Sequence, residues 1–175
     1  TWSRAHCWIP SFTAEEQELR FSCTYLTPVG ERGLILRLTV QNLGSAAHAV
    51  RFGTEGEWAH TLHEINETTE LTEGREVYES GWNHMFIFSQ KPGLPLFAFA
   101  PCISDPQQFA EIDQQAQWSQ KGFSYDIFRQ TILQPGEQAM LDIPWGVGYD
   151  GVAAATSAKE LLRQGFDAVY DRTVR

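Results

Sequence analysis

Apolar and polar residues alternate along several stretches of the chain, with every second position apolar. The alternation is clearest in residues 34–40, and it recurs in residues 19–25 and 139–145. Because successive side chains of a β-strand point to opposite faces of a sheet, a period of two predicts a strand with one face in a core. These three stretches are therefore predicted to be half-buried strands.

A turn sequence precedes the last of these strands. Residues 127–133 are also strand-like, and they are followed by Gln134-Pro135-Gly136-Glu137. Proline presets the first turn dihedral and glycine tolerates a positive φ, so the sequence predicts two strands joined by a tight turn. Gly146-Val147-Gly148 is predicted to end the second strand, and the apolar period after it is about 3.6.

Shorter apolar runs predict the remaining strands. Residues 1–12 form an entry strand, which Pro10 confines to an edge or an end. Residues 49–52 are expected to pair back on the preceding strand as a hairpin, and residues 85–88 and 96–100 fit two buried strands of another.

Three polar stretches are interpreted as loops. Residues 14–18 are acidic, and residues 54–76 show little periodicity beyond one strand near residues 58–62. Residues 104–121 are rich in glutamine and have irregularly spaced apolar positions, which predicts an irregular segment with at most one short helix.

The segment after residue 150 has the spacing of an amphipathic helix. Its start is set either by Asp150 or by a capping box of Ser157 and Glu160. Gly165 leaves a C-cap break and a continuous helix as open alternatives. Either a sandwich face or another domain must cover the apolar face, whose burial contributes on the order of 10 kcal/mol. That face consists of Leu161, Leu162, Phe166, Val169, Tyr170 and Val174.

About nine to eleven short strands, with no helix between them before residue 150, indicate an antiparallel two-sheet sandwich. We therefore expect a mainly β chain. Residues 1–150 form the antiparallel β-sandwich domain, and residues 151–175 form a truncated C-terminal linker of one or more helices. A length of 175 residues with 42% hydrophobic residues suits one domain with a substantial core.

The sequence argues against two classes of partner, nucleic acid and the membrane. A net charge of -9 and a pI near 4.9 argue against nucleic acid, because phosphate backbones are bound by clustered Lys and Arg. No apolar run reaches the length of about 18 residues that spans a bilayer, so no membrane partner is expected. We expect a soluble domain, either cytoplasmic or exported after removal of a leader.

Metal and cofactor sites are not expected. His60, His63 and Glu64 resemble a ligand cluster, but histidines three residues apart converge only on a helix and this stretch is strand-like, which favours a solvated loop. The cysteines lack metal-ligand spacing and are interpreted as buried thiols. They are Cys7, Cys23 and Cys102.

Tryptophans in polar surroundings are the candidate binding residues. Trp58, Trp82 and Trp118 lie in such stretches, and His84 shares an exposed tip, Gly-Trp-Asn-His, with Trp82. Aromatic faces stack on sugar rings, and they also fill cores and domain interfaces. These four residues are therefore candidates for carbohydrate binding, with a core or interface role as the alternative.

A resemblance to a known family rests on four stretches. They are Leu-Arg-Leu-Thr-Val-Gln-Asn-Leu-Gly (36–44), Leu-Gln-Pro-Gly-Glu (133–137), Ala-Met-Leu-Asp-Ile-Pro-Trp (139–145) and Lys-Glu-Leu-Leu-Arg-Gln-Gly-Phe (159–166). The last three resemble the domain junction of six-hairpin glycoside hydrolases, and the first resembles a strand-to-turn stretch of their β domains. There an N-terminal β-supersandwich akin to the galactose mutarotase fold passes through linker helices into an (α/α)6 catalytic barrel.

The resemblance implies a domain without catalytic residues, because the acid and base carboxylates of that family lie in the barrel. The implied partner is a helical catalytic domain of the same polypeptide, of a hydrolase or a phosphorylase, with an oligosaccharide as a further partner. An independent carbohydrate-binding module is the alternative. A mutarotase-like enzyme would need a His and carboxylate pair, for which His84 and Glu79 are the candidates.

Overall fold

A computed structural model describes the greater part of the chain. The described residues are 1–5, 9–59, 61–63, 68–70, 76–80, 85–89, 96–99, 110–119, 122–149 and 151–175. Within them the chain forms thirteen strands and two helices. The strands are β1 (Trp2–Ala5), β2 (Ile9–Glu16), β3 (Leu19–Leu26), β4 (Gly33–Asn42), β5 (His48–Ala59), β6 (Thr61–His63), β7 (Thr68–Glu70), β8 (Glu76–Ser80), β9 (Met85–Ser89), β10 (Leu96–Phe99), β11 (Ile112–Ser119), β12 (Gly122–Leu133) and β13 (Gln138–Gly148). The helices are α1 (Gly151–Gln164) and α2 (Phe166–Val174).

The strands form a large and a small antiparallel sheet. The large sheet has the order β1-β2-β3-β4-β13-β10-β9-β8 and the small sheet the order β11-β12-β5, while β6 and β7 pair with each other. The predicted fold class, a mainly β antiparallel sandwich with C-terminal helices, is confirmed. No helix within the described ranges has the length and apolar character needed to cross a membrane.

The core lies between the two sheets. Alternate residues of the central strands point into it, as the period of two predicted. The buried residues of this core are Leu36, Val40, Ala139, Leu141 and Ile143 from the large sheet and Val50, Phe52, Tyr125, Ile127 and Leu133 from the small sheet.

The two helices cover the opposite face of the large sheet. Ile35 lies next to Leu36 in β4 and therefore points away from the small sheet, toward the helices. It forms a second buried cluster with Leu161, Phe166 and Val169 of the helices. Of the two covers that the sequence left open for the apolar helix face, the sandwich is the one observed.

Glycines in β13 allow α1 to approach the sheet closely. A Cβ atom at Gly146 would lie 2.0 Å from the carbonyl oxygen of Ala154, and one at Gly148 would lie 2.4 Å from the amide nitrogen of Ala154. The prediction that this glycine pair ends the strand is wrong, since β13 continues through Gly148, which pairs with Leu96. The glycines mark a helix contact and not a turn.

The helical segment breaks at Gly165, which resolves the alternative left open by the sequence. Gly165 has φ 77°, and its amide donates to the carbonyl of Leu161 at 3.0 Å. The capping box of Ser157 and Glu160 is wrong, because α1 begins at Gly151 and the Ser157 hydroxyl donates to the carbonyl of Ala153 inside the helix. Asp150 lies outside the described residues.

The predicted turn at Pro135 and Gly136 is present and joins the two predicted strands, β12 and β13. These strands belong to different sheets, because β12 pairs with β5 and β11, whereas β13 pairs with β4 and β10. The turn therefore crosses from one sheet to the other. The predicted hairpin of residues 49–52 with the preceding strand is wrong, because β5 pairs with β12 and not with β4. Alternation specifies a strand but does not specify its partner. The predicted hairpin of residues 85–88 and 96–100 is present as the β9 and β10 pair.

All three segments interpreted as loops contain strands. In residues 54–76, where one strand near residues 58–62 was expected, β5 continues to Ala59 and is followed by β6 and β7. β2 continues to Glu16, and a tight turn with positive φ at Gln17 and Glu18 leads into β3. Residues 112–119 form β11, where we expected an irregular segment with at most one short helix.

Candidate functional site

A cavity of about 500 Å³ opens on the small sheet. The strand register brings its polar residues together, because Asp126 of β12 pairs with Glu55 of β5 on one side and with Gln115 of β11 on the other. Ser124 and Glu57 are paired two positions farther along the same strands. The described residues that line the cavity are Glu55, Gly56, Glu57, Gln115, Ser124, Tyr125 and Asp126.

The lining is suited to binding a polyhydroxylated molecule. Carboxylates accept hydrogen bonds, a hydroxyl both donates and accepts, and an amide offers two donors and an acceptor. Glu55, Glu57 and Gln115 are exposed, so their polar atoms are open to solvent and ligand. The cavity can therefore satisfy several hydroxyl groups at once.

Tyr125 anchors the cavity to the core. Its ring lies edge-on to Trp145, with ring centroids 5.5 Å apart. Burial raises the pKa of the Tyr125 hydroxyl, which outweighs the opposing effect of its hydrogen bond with Thr54. Tyr125 is thus neutral near pH 7. Gly56 accommodates the ring, since a Cβ atom there would lie 2.6 Å from Tyr125 Cε1.

A cation lies at the other end of the small sheet. The guanidinium carbon of Arg51 is 3.6 Å from the centroid of the Phe128 ring, and Arg51 Nη2 is 3.9 Å from Asp113 Oδ2. The small sheet therefore carries hydrogen-bond acceptors at the cavity, and the guanidinium of Arg51 lies four residues before Glu55 in β5.

The structure brings two of the four candidate tryptophans to one register position. Trp58 of β5 and Trp118 of β11 are the Cα partners of Phe123, which lies between them in β12. This register position directly follows that of the cavity residues Glu57 and Ser124, and successive positions of a strand face opposite sides of the sheet. Trp82 and His84 lie outside the described residues.

No metal site is formed by the described part of the chain. Within it, no group of three His, Cys, Asp or Glu side chains converges closely enough to hold an ion. His60, Glu64, Cys7 and Cys102 lie outside it. Cys23 is a free, half-buried thiol, and burial raises its pKa above the ordinary value despite the hydrogen bond with Tyr25.

Sequence reasoning missed the polar residues of the cavity. Glu55 and Glu57 were assigned to a loop, and Gln115 to an irregular segment. The sequence carries a weak signal, because the charged residues Glu55 and Glu57 alternate with Thr54 and Gly56, as in a strand with one solvent-exposed face. The polarity of that outer face concealed the strand.

Comparison with known proteins gives matches at the level of structure. No family model and no curated protein sequence matches the chain. A putative kojibiose phosphorylase from the human microbiome superposes with a TM-score of 0.60 at 9% identity, over 95% of this chain and 22% of that one. A polysaccharide lyase superposes with a TM-score of 0.55 at 12% identity, over 86% of this chain and 23% of that one.

A third match covers most of both chains. A galactose mutarotase-like protein from Lactobacillus casei superposes with a TM-score of 0.51 at 12% identity, over 85% of this chain and 72% of that one. The chain has the galactose mutarotase-like β-sandwich fold. The expected resemblance to a β-supersandwich domain akin to the galactose mutarotase fold is confirmed at the level of the fold. The present chain covers less than a quarter of the length of the phosphorylase and of the lyase.

Proposed function

We propose that the chain is the non-catalytic β-sandwich domain of a carbohydrate-active enzyme, either a glycoside hydrolase or a phosphorylase. In this proposal it packs against a helical catalytic domain of the same polypeptide and shapes one side of the cleft. One observation carries the proposal: the sandwich and both helices match nearly the whole chain to about a fifth of a phosphorylase. The same fold thus forms one part of a much longer carbohydrate-active protein.

The character of the cavity agrees with a role that is not catalytic. Glycoside hydrolysis uses two carboxyl groups that flank one bond, and the acid lies in an apolar pocket. Glu55 and Glu57 instead lie on the wet face of a sheet. Such groups suit recognition of hydroxyl groups rather than proton transfer to a leaving group.

Turnover assays test the proposal. We expect the 175-residue chain to release no reducing sugar or sugar phosphate from a panel of disaccharides, with or without inorganic phosphate. The complete gene product is expected to turn over at least one of them. Turnover by the 175-residue chain would contradict the assignment of catalysis to another domain.

An independent carbohydrate-binding module is the second candidate. The polar cavity on the small sheet favours it, because the exposed Glu55, Glu57 and Gln115 can bond several hydroxyl groups of a sugar. The Lactobacillus casei match adds support, since there the fold accounts for most of the chain.

Glycan titration monitored by tryptophan fluorescence separates the two candidates. If the module is correct, Trp58→Ala, Trp118→Ala and Trp82→Ala each weaken oligosaccharide binding about tenfold, the loss of one stacking contact. Trp2→Ala is the matched control, because Trp2 is 66% exposed and lies in the large sheet, in contact with Phe12. Flat titrations of the unaltered chain would eliminate the module.

A further inference from the structure

Arg37 occupies a fixed position on the helix-covered face of the large sheet. It lies in β4 directly opposite Asp142 of β13. Its Nε and Nη2 atoms donate to the two carboxylate oxygens of Asp142 at 2.7 and 2.6 Å. The two side chains are only 17% and 12% exposed. A bidentate pair of this kind fixes the plane of the guanidinium and is weakly screened by salt.

The remaining groups of this guanidinium are directed at the first turn of α2. Its central carbon lies 4.0 Å from the centroid of the Phe166 ring, and its Nη1 donates to Asp167 Oδ1 at 2.6 Å. Phe166 and Asp167 are the first two residues of α2. The Arg37 side chain therefore contacts both the Phe166 ring and the Asp167 carboxylate at the start of α2.

The break between the helices places this first turn above Arg37. Gly165 adopts a φ of 77°, which permits a sharp change of direction before Phe166. Near the other end of α2, Arg172 Nη2 donates to Glu31 Oε1 at 2.9 Å. Apolar contacts of Phe166 and Val169 supply adhesion but are not directional. The direction of α2 is set by the polar contacts at its two ends, those of Asp167 with Arg37 and of Arg172 with Glu31.

We propose that Arg37 is a latch that fixes the direction in which α2 leaves the sandwich. Where the proposed function holds, the latch also fixes the orientation of the catalytic domain that follows α2. Arginine is required because only a planar fork can bind Asp142 with two bonds, stack on Phe166 and still donate to Asp167. Lysine offers a single point charge and cannot make all three contacts.

Amide hydrogen exchange of the 175-residue chain tests the latch without reference to any catalytic activity. In Arg37→Lys we expect exchange in α2 to accelerate about tenfold, while α1 and the small sheet keep their protection. In Asp167→Asn we expect a smaller acceleration of about threefold, since Asp167 is 84% exposed. Salt at about 1 M should accelerate exchange of α2 more in the unaltered chain than in Asp167→Asn, where the pair of Arg172 and Glu31 is the exposed α2 contact left to screen.

Arg20→Lys is the matched control, because Arg20 makes one exposed pair with Glu15 in the same sheet. It is expected to leave α2 unchanged. Unaltered exchange of α2 in Arg37→Lys would overturn the proposal, and so would an equal loss of protection in every element. If Arg37→Lys does not fold, Asp167→Asn still tests the proposal. The exposed side chain of Asp167 is not part of the core, so its replacement should not prevent folding.

Discussion

Replacing Gly146 with valine is expected to lower the free energy of unfolding by about 3 kcal/mol or more. A Cβ atom at this position would lie 2.0 Å from the carbonyl oxygen of Ala154 and 2.5 Å from the amide nitrogen of Ala158. Both obstructing atoms belong to the backbone of α1, so no side-chain rotation relieves the clash. The helix must move away from β13, which separates the buried residues that join the two layers.

Urea unfolding followed by tryptophan fluorescence and far-UV circular dichroism measures this loss. Gly136→Asn is the matched control: Gly136 has φ 80°, no heavy atom lies within 4 Å of a Cβ built there, and asparagine tolerates positive φ. We expect the control to change the stability by less than about 1 kcal/mol. A similarly small change in Gly146→Val would show that α1 does not rest on β13 as described.

The strands that the sequence revealed are those with a large apolar side chain at every second position. In β4, Leu36, Leu38 and Val40 face the small sheet, while Ile35 faces the helices. Such a strand is apolar enough to be recognised in isolation. The strands that pair with it cannot be recognised in the same way, because hydrogen bonding between strands uses the backbone, which is the same at every residue. The predicted pairing of β5 with the preceding β4 is accordingly wrong.

The strands that the sequence concealed have a wet outer face. In β5 the exposed residues Arg51, Glu55 and Glu57 alternate with partly buried positions that include Thr54 and Gly56. Glycine and small polar residues carry little signal of burial. Here Gly56 is partly buried because the Tyr125 ring occupies the space of its missing side chain, a contact that depends on a residue far along the chain.

The candidate site shows the same limit. Exposure and residue type suggested Trp58 and Trp118, but nothing in the sequence placed them opposite Phe123. That arrangement follows from the register of three strands that are separated along the chain. The carboxylates of the cavity are likewise assembled by register, and among 22 acidic residues no local pattern distinguishes them.

Asn42 is the buried polar residue that ties the two sheets together at their turns. It is fully buried, and its Nδ2 donates to the carbonyls of Ala46 and Leu133 at 2.7 and 3.1 Å. Its Oδ1 accepts from the amide of Gly44 at 2.9 Å. Its main-chain groups bond to Glu137 and Gly136 in the turn between β12 and β13. One side chain thus satisfies backbone groups from the turn after β4 and from the end of β12.

We expect Asn42→Leu to cost about 3 kcal/mol or more, because it leaves buried carbonyls without donors. Asn42→Asp is nearly the same size, but it places a carboxylate oxygen beside the carbonyls of Ala46 and Leu133. Burial and this repulsion raise the pKa of the introduced carboxyl group above its unfolded value. Its penalty is therefore smallest at acidic pH, where the protonated group can still donate to one of the two carbonyls, and grows as the pH rises above about 4.

Urea unfolding at a series of pH values tests both substitutions of Asn42. The stability of Asn42→Asp relative to the unaltered chain should fall as the pH is raised from about 3 to 7, whereas the deficit of Asn42→Leu should stay nearly constant. Gln41→Glu is the matched control, because Gln41 neighbours Asn42 in β4 and is only partly buried. A deficit in Asn42→Asp that does not depend on pH would show that the side chain is hydrated, and that packing rather than hydrogen bonding joins the turns.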